Sequence, residues 1–204
     1  YLSLCGISLV TVIYIFLGAS HDIELEGAVN IWALIICQKY PFFSDLNYIP
    51  FITGIIIGLV QFYPEINSGR LKLTLHLPVK ENKILLQMIL IGGGLILFLQ
   101  ILTQLVLILY TLSYFPVEIV RFELITLAPS FLVGLISYFC VASIMVEPVW
   151  VRRIPMMIFF GGLCSMLFKS GEYSYTLLLF MALTGCCVVL TIVLSGFYFK
   201  RGIK

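Results

Sequence analysis

Charge is what this sequence has least of. Of its 204 residues only 11% are Asp, Glu, Lys or Arg, while 61% are hydrophobic, and the mean hydropathy is +1.12. A soluble domain is about 25% charged and about 45–50% apolar, so a surface facing water cannot be assembled from this inventory, and the composition calls for lipid. With 12 basic and 10 acidic residues the net charge is +2, which provides no basic field for a nucleic acid. Other absences narrow the chemistry. The two histidines, His21 and His76, fall in segments expected on opposite membrane faces and so cannot share a metal ion or a catalytic dyad. The six cysteines include no CxxC or metal-ligand spacing; Cys5, Cys140, Cys164, Cys186 and Cys187 lie in apolar runs, Cys37 alone in a mixed segment, and they read as small hydrophobes. There is no G-x-x-x-x-G-K-[ST], since Gly92-Gly93-Gly94 is followed by Leu95 and Ile96, and no H-E-x-x-H or G-x-S-x-G. The chain is therefore not expected to be an enzyme or to bind a cofactor of its own.

Long apolar runs are what it has in abundance. A helix crossing the hydrocarbon core takes about 20 mostly apolar residues, and six stretches approach or exceed that length: Leu2 to Ala19, Tyr48 to Tyr63, Ile84 to Leu112, Phe122 to Val146, Ile154 to Phe168, and Tyr175 to Phe199. The expectation is an all-α polytopic membrane protein, with six transmembrane helices forming a single domain over residues 1–204. No linker or internal repeat interrupts it. Tyr1 already sits in an apolar stretch without the basic region and cleavage site of a signal peptide, so the natural start is expected upstream.

Six spans put both ends on one side, together with the segments Glu65 to Lys83, Glu147 to Arg153 and Lys200 to Lys204. That side holds Arg70, Lys72, Lys80, Lys83, Arg152, Arg153, Lys200, Arg201 and Lys204, nine of the twelve basic residues. The other side holds Lys39, Arg121 and Lys169 and seven of the ten acids: Asp22, Glu24, Glu26, Asp45, Glu118, Glu123 and Glu172. Basic residues in short loops mark the cytoplasmic face, so both termini are expected in the cytoplasm, beneath an acidic outer surface. The run from Ala28 to Phe43 contains Asn30, Gln38, Lys39 and Pro41 and is too short for a further span; it reads as an external interfacial or re-entrant helix, with Trp32 and Tyr40 at headgroup depth. His21, Asp22, Glu24 and Glu26 form a small outer cluster, for which hydrated loop acids are a sufficient reading.

Every acid and base can be placed in a loop or at a helix end, leaving uncharged polar groups within the spans. Gln100 and Gln104, four residues apart, share a face of the third helix, Gln87 and Thr103 lie elsewhere on it, and Gln61 closes the second. They are candidates either for interhelical hydrogen bonds, worth about 0.6 kcal/mol and up to about 1–2 kcal/mol each, or for the polar lining of a translocation path.

The most informative loop follows the second span: Gln61-Phe-Tyr-Pro-Glu65-Ile-Asn-Ser-Gly69-Arg-Leu71-Lys-Leu73-Thr-Leu75-His-Leu77-Pro78-Val-Lys80-Glu-Asn-Lys83. Leucines alternate with polar residues from 71 to 77, a strand-like period. Leucine and lysine are nevertheless good helix formers, and Leu71/Leu75 and Leu73/Leu77 are i, i+4 pairs, so a short helix over about 64–83 is the expectation. Its broad apolar surface is of the kind a partner subunit buries; the alternative is an amphipathic segment lying on the membrane with Arg70, Lys72 and Lys80 among headgroups. This loop resembles the coupling helix between the second and third spans of type-2 ABC transporter permeases, where an acid and a glycine precede a leucine-rich run ending in Leu-Pro. Glu65 and Gly69 match the acid and glycine, Leu71, Leu73, Leu75 and Leu77 the helix body, and Pro78 its stop, while Arg70 stands where such families often have a small hydroxyl residue. The number of spans and the placing of the termini agree, so the resemblance extends over nearly the whole chain.

The resemblance implies the membrane subunit of an ABC transporter, of the exporter type, in the bacterial inner membrane. It also implies two partners: a cytoplasmic ATP-binding subunit, which holds ATP and Mg and docks on the 65–83 loop, and a second permease subunit, identical or not. Two other readings stay open: an ATP-independent secondary transporter or channel, which calls for ionisable residues or broken helices within the spans, and a non-transporting scaffold subunit of a membrane complex. The residues do not choose a substrate.

Overall fold

The computed structural model describes residues 2–27, 30, 33, 35, 37, 42–70, 81–169 and 175–201. Among these residues the architecture is entirely helical: α1 (Leu2–Glu26), a 3-10 turn (Ser44–Asn47), α2 (Tyr48–Asn67), α3 (Glu81–Tyr114), α4 (Val117–Val146), α5 (Trp150–Lys169) and α6 (Tyr175–Arg201). Each apolar stretch of the sequence becomes one helix. Three helices are long and apolar enough to cross a membrane, over Tyr48–Asn67, Lys83–Tyr114 and Val117–Val146, while the apolar parts of α1 and α6 are shorter, over Val10–His21 and Leu179–Ile192. At 1.5 Å per residue α2 is about 30 Å long, the thickness of a hydrocarbon core, and α3, at about 50 Å, exceeds it. A membrane protein is the reading that fits.

Local chemistry sets several helix ends. Gly27, at φ +80°, closes α1 in the left-handed conformation that glycine adopts at no steric cost, donating to the Ile23 carbonyl at 3.0 Å. Pro116 is extended, at φ −68° and ψ 161°, and separates α3 from α4, whose first turn carries Glu118 at the favourable end of the helix dipole. At the other end of α4, Glu147 precedes Pro148 and is driven to ψ 122°, out of the helical region.

The helices are organised around α4, which packs against α2, α3, α5 and α6, most extensively against α2. Small residues permit that closest pair. A Cβ on Gly54 would collide with the Gly134 carbonyl and the Ser137 hydroxyl, and one on Gly58 would lie 2.9 Å from Val141. Gly54 and Gly58 are thus a G-x-x-x-G pair, the first facing Gly134 and Ser137 and the second Val141 and Tyr138 of α4, an arrangement by which membrane helices approach closely without a hydrophobic driving force. Of the run Gly92-Gly93-Gly94, only Gly92 is needed for contact, because a Cβ there would meet Gln61 and Tyr138, whereas one on Gly94 would meet nothing within 4 Å.

Two expectations for the outer end need correction. His21 and Glu24 are exposed but belong to the last turns of α1, so this cluster is helical rather than a loop. Glu123, expected on the acidic outer surface, is fully buried, at 0% exposure. The segment around 28–43 falls mostly outside the described residues; where described, Asn30, Ala33, Ile35 and Cys37 are helical, and Ile35 packs with Ile23, Phe115 and Ile119.

Candidate functional site

The loop expected to dock a partner leaves the bundle from the end of α2. Ser68 N donates to the Pro64 carbonyl at 3.0 Å and Gly69 N to the Ile66 carbonyl at 3.1 Å. Gly69 has φ +68°, a left-handed value that a side chain would strain, so the glycine of the motif has a local reason to be there: it turns the chain out of the helix. Glu65 is half-buried on the last turn of α2 and Arg70 is exposed just beyond Gly69. Leu71, Leu73, Leu75, Leu77 and Pro78 lie outside the described residues.

About two turns before that exit, α2 is tied to both of its neighbours by a buried polar joint. Gln61 Nε2 donates to the Met88 carbonyl of α3 at 2.7 Å, and Tyr138 Oη of α4 donates to Gln61 Oε1 at 2.9 Å. Tyr138 is wholly buried, and its hydroxyl also approaches the Met88 carbonyl at 3.4 Å. The joint is possible because Gly92 has no side chain where these groups meet. Phe62, Ile57, Leu85, Ile89 and Ala142 surround it as one core cluster, and that dry setting makes an unpaired amide or hydroxyl costly. The helices on either side of the loop, α2 and α3, are thereby coupled to α4.

Gln100 lies on the same helix as Met88 but does not reach this joint. It is buried and donates from Nε2 to the Phe131 carbonyl of α4 at 2.9 Å. Beside it is a cavity of about 20 Å³ whose lining includes Thr53, Thr103 and Pro50, room for about one water molecule. Gln104, one turn further, is half-buried. Gln61 and Gln100 therefore bridge helices at two levels of the bundle, and the sequence pattern that singled them out did not reveal their partners, Tyr138 and two backbone carbonyls.

Two buried carboxylates escaped the sequence reading. Glu123 Oε1, on α4, accepts the Phe42 N–H at 2.7 Å, while Oε2 is buried with no hydrogen-bond partner. The acceptor pins the chain just before α2, where Phe42 and Phe43 enter an aromatic cluster with Phe16, Tyr110 and Phe115 at centroid separations of 5.0–6.2 Å. At the opposite end of α4, Glu147 is buried and accepts from Ser195 Oγ of α6 at 2.7 Å. Arg153 Nε donates to the Glu147 carbonyl at 2.7 Å and its guanidinium lies 4.9 Å over the Trp150 ring. Arg152 approaches Glu147 Oε1 only to 3.9 Å with a side chain 55% exposed. The segment Glu147 to Arg153 is thus a packed corner in which both arginines already belong to α5. A proline after Glu147 was the available signal for the corner; nothing in the sequence announced Ser195 as its partner.

Among the described residues no cluster of three or more His, Cys, Asp or Glu side chains is placed to hold a metal ion. No protein-family model, curated protein or solved structure matches the chain. What fold and site define together is the class: a helical membrane protein with a central helix, buried interhelical polar contacts and an excursion between α2 and α3.

Proposed function

We propose that the chain is the membrane-spanning permease subunit of an ATP-binding-cassette transporter, of the exporter type, powered by a separate cytoplasmic ATP-binding subunit that docks on the 65–83 loop. The observation that carries this reading is the segment Gln61 to Lys83, in which an acid, a glycine and a leucine-rich run ending in Leu-Pro connect two long apolar helices. The joint of Gln61, Tyr138 and Met88 supports it physically: a pull on the loop is passed to α4 through hydrogen bonds rather than through lipid. The six helices whose bounds the described residues give and the expected gathering of nine basic residues on one side fit two cytoplasmic termini in a bacterial inner membrane. Two such subunits, alternating between inward and outward access as the partner binds and hydrolyses ATP, complete the mechanism.

The test is a mild-detergent pull-down of the chain from its native membrane, with mass spectrometry and an ATPase assay on what accompanies it. A stoichiometric ATP-binding subunit is expected, and Leu73→Asp with Leu77→Asp should abolish its association while the chain remains inserted. Absence of any ATPase in several detergents would overturn the reading. One observation favours an ATP-independent transporter instead: Glu123 places an ionisable group inside α4 with one oxygen unpartnered, the kind of residue ion coupling employs. Transport that persists without an ATPase and is lost in Glu123→Gln would establish that alternative.

A further inference from the structure

Glu123, in the second turn of α4, has no exposed surface. Its Oε1 accepts the Phe42 N–H at 2.7 Å, and its Oε2 is buried without a hydrogen-bond partner. Among the described residues no basic side chain forms an ion pair with it; the pair that is found, Arg152 with Glu147, stands at the opposite end of the helix. The other titratable groups on the elements packed at this end bring it no counter-charge. His21 and Glu24 of α1, Tyr114 of α3, and Glu118 and Arg121 of α4 are exposed. Tyr110 of α3 stands in the aromatic cluster, its ring 6.1 Å from that of Phe43, and a phenol is uncharged at neutral pH. The side chains of Asp22, Glu26, Lys39 and Asp45 lie outside the described residues.

We propose that Glu123 is a proton-binding site, held here as the neutral acid with the proton on Oε2, and that loss of this proton releases the turn over residues 42–47 from α4. A carboxylate kept out of water needs several donors or a cation. One backbone N–H does not meet that need, and charging the group in place costs more than the single hydrogen bond returns. The neutral acid, in contrast, suits the donor it is offered, with Oε1 as its carbonyl oxygen. Once ionised, the group is satisfied only by water, which receives the proton and enters as the contact with Phe42, itself half-buried, gives way. Acid therefore closes this contact and alkali opens it. The inference concerns one side chain and one turn, and it holds whether ATP or an ion gradient drives the protein.

Infrared difference spectra of the full chain in lipid read the proton directly. At about pH 7, where exposed Asp and Glu are ionised, the native spectrum minus that of Glu123→Gln should contain a neutral-carboxyl band. Glu147→Gln, which alters the other buried acid, should leave that band in place. Hydrogen exchange of the 42–47 amides reads the release of the turn, with Glu123→Gln at the same pH cancelling the intrinsic pH dependence. Exchange in the native chain should equal that of the variant in acid and exceed it by at least about 10-fold in alkali, given the penalty on a charge buried without a partner. The lack of a band from Glu123, or a band lost in Glu147→Gln instead, would overturn the proton site; an exchange ratio that does not change with pH would overturn the release. If Glu123→Gln does not accumulate, Glu147→Gln decides. A neutral-carboxyl band that persists in it, and disappears over the pH range in which the 42–47 amides begin to exchange faster, upholds the site, and the lack of such a band overturns it.

Discussion

Glu123 shows how much a single buried side chain can decide. Its carboxyl group is the acceptor for the Phe42 amide and so holds the turn that leads into α2 against α4. Glu123→Ala should leave that partly buried N–H without its acceptor and cost about 1–3 kcal/mol, read as a lowered thermal midpoint in detergent. Glu123→Gln keeps an acceptor oxygen and removes the need to bury a charge, so its midpoint should match or exceed that of the native chain. The glycine run offers a second contrast. Gly92→Ala should disrupt the joint by driving Gln61 from Tyr138, whereas Gly94→Ala, facing open space, should be neutral or stabilising by up to about 1 kcal/mol because alanine is the better helix former. Thermal unfolding of the two variants side by side checks this, and equal losses would show that the joint is not where the strain falls.

At the scale of elements, α4 is the member against which the others are measured, and its two ends are secured by acids rather than by apolar contact alone. The C-terminal end is tied to α6 through Glu147 and Ser195, with Ser143 and Thr191 at 2.9 Å one turn deeper. A hydrogen bond to a buried carboxylate is worth about 1.5–3 kcal/mol, whereas an ion pair as open as that of Arg152 contributes about 0–1 kcal/mol. Ser195→Ala is therefore expected to loosen α6 and lower the thermal midpoint more than Arg152→Ala does. A larger effect from Arg152→Ala would mean that the loop, not the helix contact, holds this corner. The extents of α2 to α6 were legible because apolar runs and prolines mark them; which faces meet was not, except through Gly54 and Gly58, whose spacing is a recognisable packing signal.

For the whole molecule, the expected orientation follows from the placement of basic residues and is open to direct test. Cys37 is exposed and belongs to the segment expected outside, while Arg152 belongs to the basic corner expected inside. In intact cells a membrane-impermeant maleimide should label Cys37, and in a chain carrying Arg152→Cys, with Cys37→Ala, it should label only after the membrane is opened. Labelling in the reverse order would invert the topology and remove the 65–83 loop from reach of any cytoplasmic ATPase.

Composition alone determined that this chain belongs in lipid, because 11% charge cannot cover a surface in water, and the lengths of its apolar runs determined that it is built from helices, the form in which an isolated segment satisfies its own backbone. The same one-dimensional pattern marked Gln61 and Gly69 for attention. Only the tertiary structure decided that Gln61 meets Tyr138 across Gly92, that Glu123 and Glu147 are interior rather than hydrated, and that Cys140 and Cys164 line one cavity. Those pairings join residues from 24 to 81 positions apart, and in a bundle whose helices are apolar on nearly every face, hydrophobic periodicity carries no information about which face turns inward. Small residues and buried polar groups make that choice, and they act only once the helices are side by side.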